Sequence, residues 1–443
     1  MPKIAIVGAG GFVFPLTIIR DVCAFPELRE STVSLMDIAP ERLRRTVAGA
    51  RALVREFKLP TVIESTTDRR KALDGADFVV VTWQVGGLDA YRHDVEIPRQ
   101  YGVDQPVGDT MGPGGVFRGL RTIGVLKGFC ADVRELCPDA LVLNYANPMA
   151  INTWATYALG VKVIGLCHSV QGTSALLASE VGLPIQECNY RCAGINHQAW
   201  FIQFEHKGKD ILPLIRKTIL ERHVTGQAAG ERSTDLYAGG QEAVRGQIMQ
   251  LTGYFHSESS HHGSEYVAWF RKDPEAILEC LPQRWDYYEI CRDHDEEGHN
   301  KWFLDDARKR GLAPGSEYGA YIIHSMVAGT PRVIHGSVRN DGIIANLPAG
   351  CAVEVPCLVD KNGVQPTVIG DLPPACAAVN RACVSVQELA VRAGLEGDRE
   401  LVYAAVAMDP FAGAICTLRQ IREMVDRLFE AEAQWLPSFE EAG

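Results

Sequence analysis

Lys3-Ile4-Ala5-Ile6-Val7-Gly8-Ala9-Gly10-Gly11 begins as a β-branched apolar run and ends in a glycine turn, and Phe12 to Arg20 then carries an apolar pattern of helical period. Strand, glycine turn and helix in that order are the context that gives a Gly-x-Gly motif its meaning. Gly8, Gly10 and Gly11 allow a tight turn and let backbone N–H groups approach a pyrophosphate at the helix N-terminus. The third glycine of the usual fingerprint is replaced by Val13. A second run, Thr32-Val33-Ser34-Leu35-Met36, ends in Asp37. An acid at that distance suits the adenosine ribose hydroxyls and repels a 2′-phosphate, which predicts NAD rather than NADP. Asp37 also stands where it could cap the helix opened by Pro40-Glu41.

Outward from this turn the alternation continues. A helical stretch, Asp68 to Leu73, leads into the strand Phe78-Val79-Val80-Val81, which ends at Thr82, grouped here with the cofactor contacts. Ala140 to Tyr145 is a further strand with a polar end at Asn147-Pro148. Strands alternating with helices predict an α/β fold: a doubly wound parallel sheet of Rossmann-like type, with sites at the strands' carboxyl ends. The Asn-Pro ending resembles the lactate and malate dehydrogenases. Between these strands, five glycines fall from Gly108 to Gly119, with Asp109 and Arg118 among them. This stretch is expected to be a loop walling a site, followed by a helix from about Leu120.

Composition narrows the class. The chain has 443 residues, 47% of them hydrophobic, and a net charge of -11. An acidic surface repels phosphate backbones, so nucleic acid is not an expected partner. Apolar runs are of strand length, which predicts no membrane span. The 13 cysteines, with the chain entering a strand at Lys3 and no leader-like segment before it, predict reduced thiols and a cytoplasmic protein.

The second half reads as helices from Leu212 to about Arg310, broken by the titratable stretch Gly253 to Tyr266. Another helix is expected within Gly315 to Gly329. Strands are expected at Val333–Val338, Gly342–Pro348 and Cys351–Asp360, with a hairpin centred on Asn362-Gly363 and a last helix over Leu418–Gln434. The expected organisation is a nucleotide-binding part, 1–195, and a C-terminal α+β part, 196–443.

Cys167-His168-Ser169 follows the strand Val161 to Leu166, and Gly194-Ile195-Asn196-His197 follows another apolar run. A thiolate and an imidazole delivered from strand ends suit a divalent metal that keeps open positions.

Taken together, Gly8-Ala9-Gly10-Gly11, Gly108-Asp109-Thr110, Asn147-Pro148-Met149, Cys167-His168-Ser169-Val170, Gly194-Ile195-Asn196-His197 and the stretch from Asn346-Leu347-Pro348 to Val355-Pro356 resemble glycoside hydrolase family 4. Cys-His-Ser-Val is similar to the α-galactosidase group, whereas groups acting on 6-phosphorylated sugars carry Cys-Asn or Cys-Asp there. The resemblance implies NAD and manganese, with Cys167 and His197 as metal ligands. It implies hydrolysis of α-galactosides through oxidation at C3, proton loss at C2, elimination of the aglycone and addition of water, a route outside the two-carboxylate scheme. It further implies Tyr266 as the C2 base with Asp109 as its partner, His168 as the acid, and Asn147 and Arg284 as substrate contacts. Glu258 and Glu265 are alternative bases. Relatives imply a homodimer or homotetramer.

Other readings are an α-glucosidase or α-glucuronidase of the same family, a dehydrogenase with net oxidation, and an NAD-binding regulator. The Cys167–His197 pair argues against the dehydrogenase. The acidity of the chain argues against the regulator.

Overall fold

The computed structural model describes residues 1–225, 242–282, 285–294 and 298–439. Its first six strands are β1 (Lys3–Val7), β2 (Thr32–Met36), β3 (Val62–Thr66), β4 (Phe78–Val81), β5 (Leu141–Asn144) and β6 (Val163–Gly165). They lie in the order β3-β2-β1-β4-β5-β6, every neighbouring pair parallel. Ile4 to Val7 and Phe78 to Val81 are buried without alternation, because helices cover both faces of a parallel sheet. The expected Rossmann-like sheet is therefore present.

The later strands are β7 (Cys188–Ile195), β8 (Gln198–His206), β9 (Lys209–Asp210), β10 (Arg332–Arg339), β11 (Ala352–Asp360) and β12 (Gly363–Pro366). They form the expected antiparallel part, but as an extension of the same sheet. β10 pairs with β6, β11 with β10, and β7 with β11, followed by β8 and β9. One row of ladder partners crosses the junction: Gly165, Ser337, Glu354 and Gly194. Cys167 and His197 stand just past the two ends of that row.

Three sequence expectations are corrected. The stretch expected to be a glycine loop becomes helix from Gly112, and one continuous helix runs Gly112–Leu136. Its glycines are there for contact: a Cβ on Gly114 would stand 2.5 Å from the carbonyl oxygens of both Asp94 and Gly108. The stretch 342–348 is not a strand. It is a turn held by Asn340, whose Nδ2 donates to the carbonyls of Ile344, Leu347 and Pro348, leaving one bridge from Ile344 to Gly370. The hairpin turns on Lys361-Asn362, one residue early, and Gly363 at φ +93° opens β12. The remaining expected helices form at Tyr318–Ala328 and Leu418–Glu432. Among the described residues, no helix is long and apolar enough to cross a membrane.

Candidate active site

The carboxyl ends of β1, β4, β5 and β6 lie side by side and present, in that order, Gly8, Thr82, Asn147 and Cys167. At the first, Gly8 and Ala9 donate backbone N–H groups to the Met36 carbonyl, both at 2.9 Å. Gly8 holds φ +92°, and a Cβ there would meet Trp83 N at 2.5 Å, so the turn requires glycine. Asp37 Oδ2 accepts from Gly10 N at 2.7 Å and Oδ1 from Ala39 N at 2.8 Å. Asp37 does not cap the next helix, whose N-cap is Ala39 without a side-chain cap bond; it ties the glycine turn to the residue before that helix, and its remaining lone pairs stay able to accept from hydroxyls. Thr82 Oγ1 donates to the Gly8 carbonyl at 2.9 Å, so its hydroxyl braces the turn.

Asn147 follows β5 across a cis bond to Pro148, and its Nδ2 donates to Asp109 Oδ2 at 3.1 Å. Asp109 is 2% exposed and also accepts from Thr110 Oγ1 at 2.6 Å, with Arg118 Nη1 at 3.7 Å. Burial pushes its carboxyl up, but Arg118, His262 and these hydrogen bonds outweigh it and hold the group below its ordinary value.

Sγ of Cys167, a ring nitrogen of His197 and a carboxylate oxygen of Glu258 all lie within 4.8 Å of one another. The third member is delivered by pairing. Phe201 N donates to the Phe255 carbonyl at 2.9 Å and Ser257 N to the Ala199 carbonyl at 2.7 Å, which lays residues 255–257 along the start of β8. Glu258 then emerges beside His197, with Oε2 at 3.6 Å from Nε2. Both residues hold left-handed backbone, His197 at φ +63° and Glu258 at φ +74°. Such strain in side-chain-bearing residues persists only where the surroundings fix it, and it gathers at functional sites. The donor set of one thiolate, one imidazole and one carboxylate fits a divalent cation with positions left open.

Glu354 supplies further negative charge. It is 1% exposed and stands beside Asn196, whose Nδ2 lies 3.5 Å from Oε2. Burial raises its carboxyl to about 7, with Glu258 adding to the rise and His197 and Asn196 opposing it. Burial, Glu354 and Glu258 push the Cys167 thiol well up, while Ser169 pulls it back. Glu258 is held below its ordinary value because His197, His262 and the Ser259 N–H outweigh burial. The pocket thus gathers acidic groups whose charge a divalent cation would offset.

The remaining expected residues divide. Tyr266, 1% exposed, sets its hydroxyl 3.4 Å from His197 Nδ1. Burial, then Cys383, Glu265, Asp109 and Glu258, raise its phenol well above the ordinary value. His168 caps the helix Ser169–Glu180 beside Cys167, about half exposed, with Nδ1 4.0 Å from Glu317 Oε1. Glu265 is an anchor: it accepts from Val107 N at 2.6 Å and Gly108 N at 3.1 Å. Arg284 lies outside the described residues. Sequence reasoning named Glu258 as a base and not as a ligand, read His262 only within the titratable stretch Gly253 to Tyr266, and gave Glu354 no role beyond its place in the expected strand Cys351–Asp360. The signal available was the concentration of acids and histidines between His256 and Glu265.

Fold and site define a Rossmann-type α/β protein whose glycine turn lies on the same sheet edge as Cys167, the first member of a Cys–His–Glu cluster. The chain belongs to the family 4 glycosyl hydrolases: that family's model matches residues 3–183, and the model of its C-terminal domain matches 192–412. It is similar to the alpha-galactosidase of Rhizobium meliloti (strain 1021), 37% identical with 99% of this chain and 90% of the relative covered. It is also similar to the alpha-galactosidase of Bacillus subtilis (strain 168), at 35%, 99% and 100%. Among solved structures, a putative glucosidase from Bacillus subtilis superposes with a TM-score of 0.86 at 25% identity, covering 97% of this chain and 99% of that one. A 6-phospho-alpha-glucosidase from gut microorganisms, solved in complex with NAD and Mn2+, shares the fold with a TM-score of 0.81 at 22% identity, covering 99% and 100%. The malate dehydrogenase of Plasmodium falciparum shares it more distantly, with a TM-score of 0.52 at 13% identity over 91% and 100%.

Proposed function

We propose that this chain is an α-galactosidase that hydrolyses melibiose-type α-galactosides with NAD and a divalent cation, manganese in the first instance. The observation that carries this reading is the Cys167–His197–Glu258 cluster, whose Cys167 follows β6 on the sheet edge that also carries the glycine turn, in a chain similar over its full length to two α-galactosidases. Gly8, Gly10, Gly11, Asp37 and Thr82 would hold the dinucleotide, and Cys167, His197 and Glu258 the cation. When bound, these groups supply reversible hydride acceptance at C3 of the sugar and polarisation of its C2 and C3 oxygens.

The chain's own residues do the rest. Asn147, fixed by Asp109, orients the sugar hydroxyls near C3. Tyr266 Oη removes the proton at C2. Burial first, and the surrounding acids after it, push its phenol up, so a nearby cation that offsets the acids' share would favour its use as a base. His168, half exposed at the mouth, hands a proton to the departing glycosidic oxygen. Arg284 is retained as a substrate contact. Residues 1–195 form the nucleotide-binding part and 196–443 complete the cation site. Cytoplasmic location and a homodimer or homotetramer belong to the same reading.

The test is an assay of p-nitrophenyl α-galactoside, α-glucoside and α-glucuronide with NAD, Mn2+ and a thiol reductant, each omitted in turn. Fastest turnover of the galactoside, lost when either NAD or the cation is removed, is expected. Product formed in deuterated water should carry deuterium at C2. Full activity after both NAD and cation are stripped would overturn the proposal.

A further inference from the structure

One buried charge cluster takes no part in the chemistry above and reaches the end of the chain. Arg121, on the helix Gly112–Leu136, is fully buried and meets two carboxyl groups. Nη1 donates to Asp94 Oδ1 at 2.9 Å and Nη2 to Asp94 Oδ2 at 2.8 Å, and Nη1 also donates to Glu432 Oε2. Burial, then Asp94, push the Glu432 carboxyl well above its ordinary value, with Arg121 opposing them. Glu432 is the last residue of the helix Leu418–Glu432. The residues after it are strapped down too. Trp435 lays its indole on Gly86, where a Cβ would stand 3.2 Å from Cδ2, and a Cβ on Gly124 would stand 3.3 Å from Pro437 Cδ.

What this end of the chain holds is the segment between Thr82 and the helix Gly87–Arg99. Arg121 Nε donates to the Val85 carbonyl at 3.3 Å, and Gly86 lies under Trp435. Trp83 stands edge-on to Phe129 of the Arg121 helix, ring centres 5.0 Å apart. At its other end the segment backs the glycine turn: Thr82 Oγ1 donates to the Gly8 carbonyl, and a Cβ on Gly8 would meet Trp83 N. A chain terminus stays docked only while its contacts outweigh its entropy. Release of Glu432 and Trp435 would uncover Gly86 and take one partner from Arg121, and the segment behind Gly8 would loosen with them. A ligand that needs the segment in place therefore favours the docked end, and the docked end favours the ligand by the same factor.

We propose that Glu432 and Trp435 are positioning residues for the dinucleotide, acting through Arg121 and the segment Trp83 to Gly86, so that NAD binding and docking of the chain's end reinforce each other. The glycine turn and Asp37 form without this end, which completes their hold. The proposal rests on the NAD-binding reading above.

The test uses the full chain and titrates NAD by calorimetry. Glu432→Ala and Trp435→Ala should each weaken NAD binding about 3- to 30-fold, the scale on which residues between two coupled sites act. Mn2+ affinity, read separately by electron paramagnetic resonance, should stay at the parent's value. Glu432→Gln keeps the acceptor for Arg121 and an uncharged side chain, and it should bind NAD as the parent does. In the unmodified chain, added NAD should slow amide hydrogen exchange over Leu428 to Trp435. Unchanged NAD affinity in both alanine variants would overturn the coupling, and so would equal losses of NAD and Mn2+ affinity, which a general loosening of the fold would give. Exchange over Leu428 to Trp435 that ignores NAD would overturn it as well. A loss in Glu432→Gln as large as in Glu432→Ala would remove the Arg121 hydrogen bond as the link. An unmodified chain that binds no NAD sinks the cofactor reading and the coupling together, whereas equal NAD binding by parent and variants sinks the coupling alone.

Discussion

His197 Nδ1 lies 2.8 Å from His262 Nε2, so one ring nitrogen of His197 is committed to a second histidine while Nε2 faces Glu258. His262 Nδ1 in turn lies 3.4 Å from Glu265 Oε2, and Glu265 is held by backbone N–H groups of Val107 and Gly108. The cluster is thereby coupled to the segment before the Gly112–Leu136 helix. Outer partners of this kind fix the tautomer and ring orientation of a metal-binding imidazole.

His262→Ala should therefore weaken divalent-cation binding about 10- to 100-fold without unfolding the protein. Titration with Mn2+ followed by its electron paramagnetic resonance signal measures this. Unchanged affinity would show that His197 needs no such support.

Cation affinity should rise with pH. Burial and two carboxylates push the Cys167 thiol above its ordinary value, so the metal-free site holds a proton that binding must expel. Below the raised value the thiol is protonated, and each unit of added pH should tighten binding by up to about tenfold where one proton is released. Calorimetry in buffers of different ionisation enthalpy would count that proton. Cys167→Ser should lose most of the affinity along with the proton release.

Glu354 should make the metal-free protein sensitive to pH. Its folded value is raised from 4.5 to about 7, so the folded state keeps a proton that the unfolded chain has lost. Stability is full below the ordinary value and falls as pH rises toward 7. Glu354→Gln cannot ionise, and above neutrality it should exceed the parent by about 3 kcal/mol in urea unfolding. Asp409, raised to about 6, sends the parent's curve the same way, so the comparison is the difference between the two proteins. Parallel curves would remove the charge argument.

Gly114→Ala should destabilise the protein although alanine favours helices. The added carbon would press on two carbonyl oxygens at 2.5 Å. Strain of about 1–3 kcal/mol from overpacking exceeds a propensity gain of about 1 kcal/mol. Thermal unfolding would detect the net loss, and a gain in stability would contradict the packing.

What the sequence disclosed follows from how local each signal is. The turn Gly8 to Gly11 and the strand ends at Asp37, Asn147 and Cys167 were legible because the alternation of strand and helix is written in consecutive residues. The Gly112–Leu136 helix was not legible past its glycines, since the reason for them is contact with Asp94 and Gly108 in the folded chain. Glu258 was named as a base and not as a ligand, because its place depends on Ser257 pairing with Ala199 across the intervening chain. Glu354 read as one polar residue in an apolar strand. Only the ladder Gly165–Ser337–Glu354–Gly194 reveals where it stands.

That ladder also bears on the order in which the molecule can be built. β6 receives its outer neighbour from β10, made some hundred and seventy residues later. A nascent chain that has emerged only through β6 carries an open sheet edge. The row that positions Cys167 and His197 is complete only once Glu354 has left the ribosome, so the cation pocket is a late product of translation. The glycine turn, made from the first forty residues and their neighbours, can close long before it. Loading during synthesis should thus be ordered, dinucleotide ahead of cation.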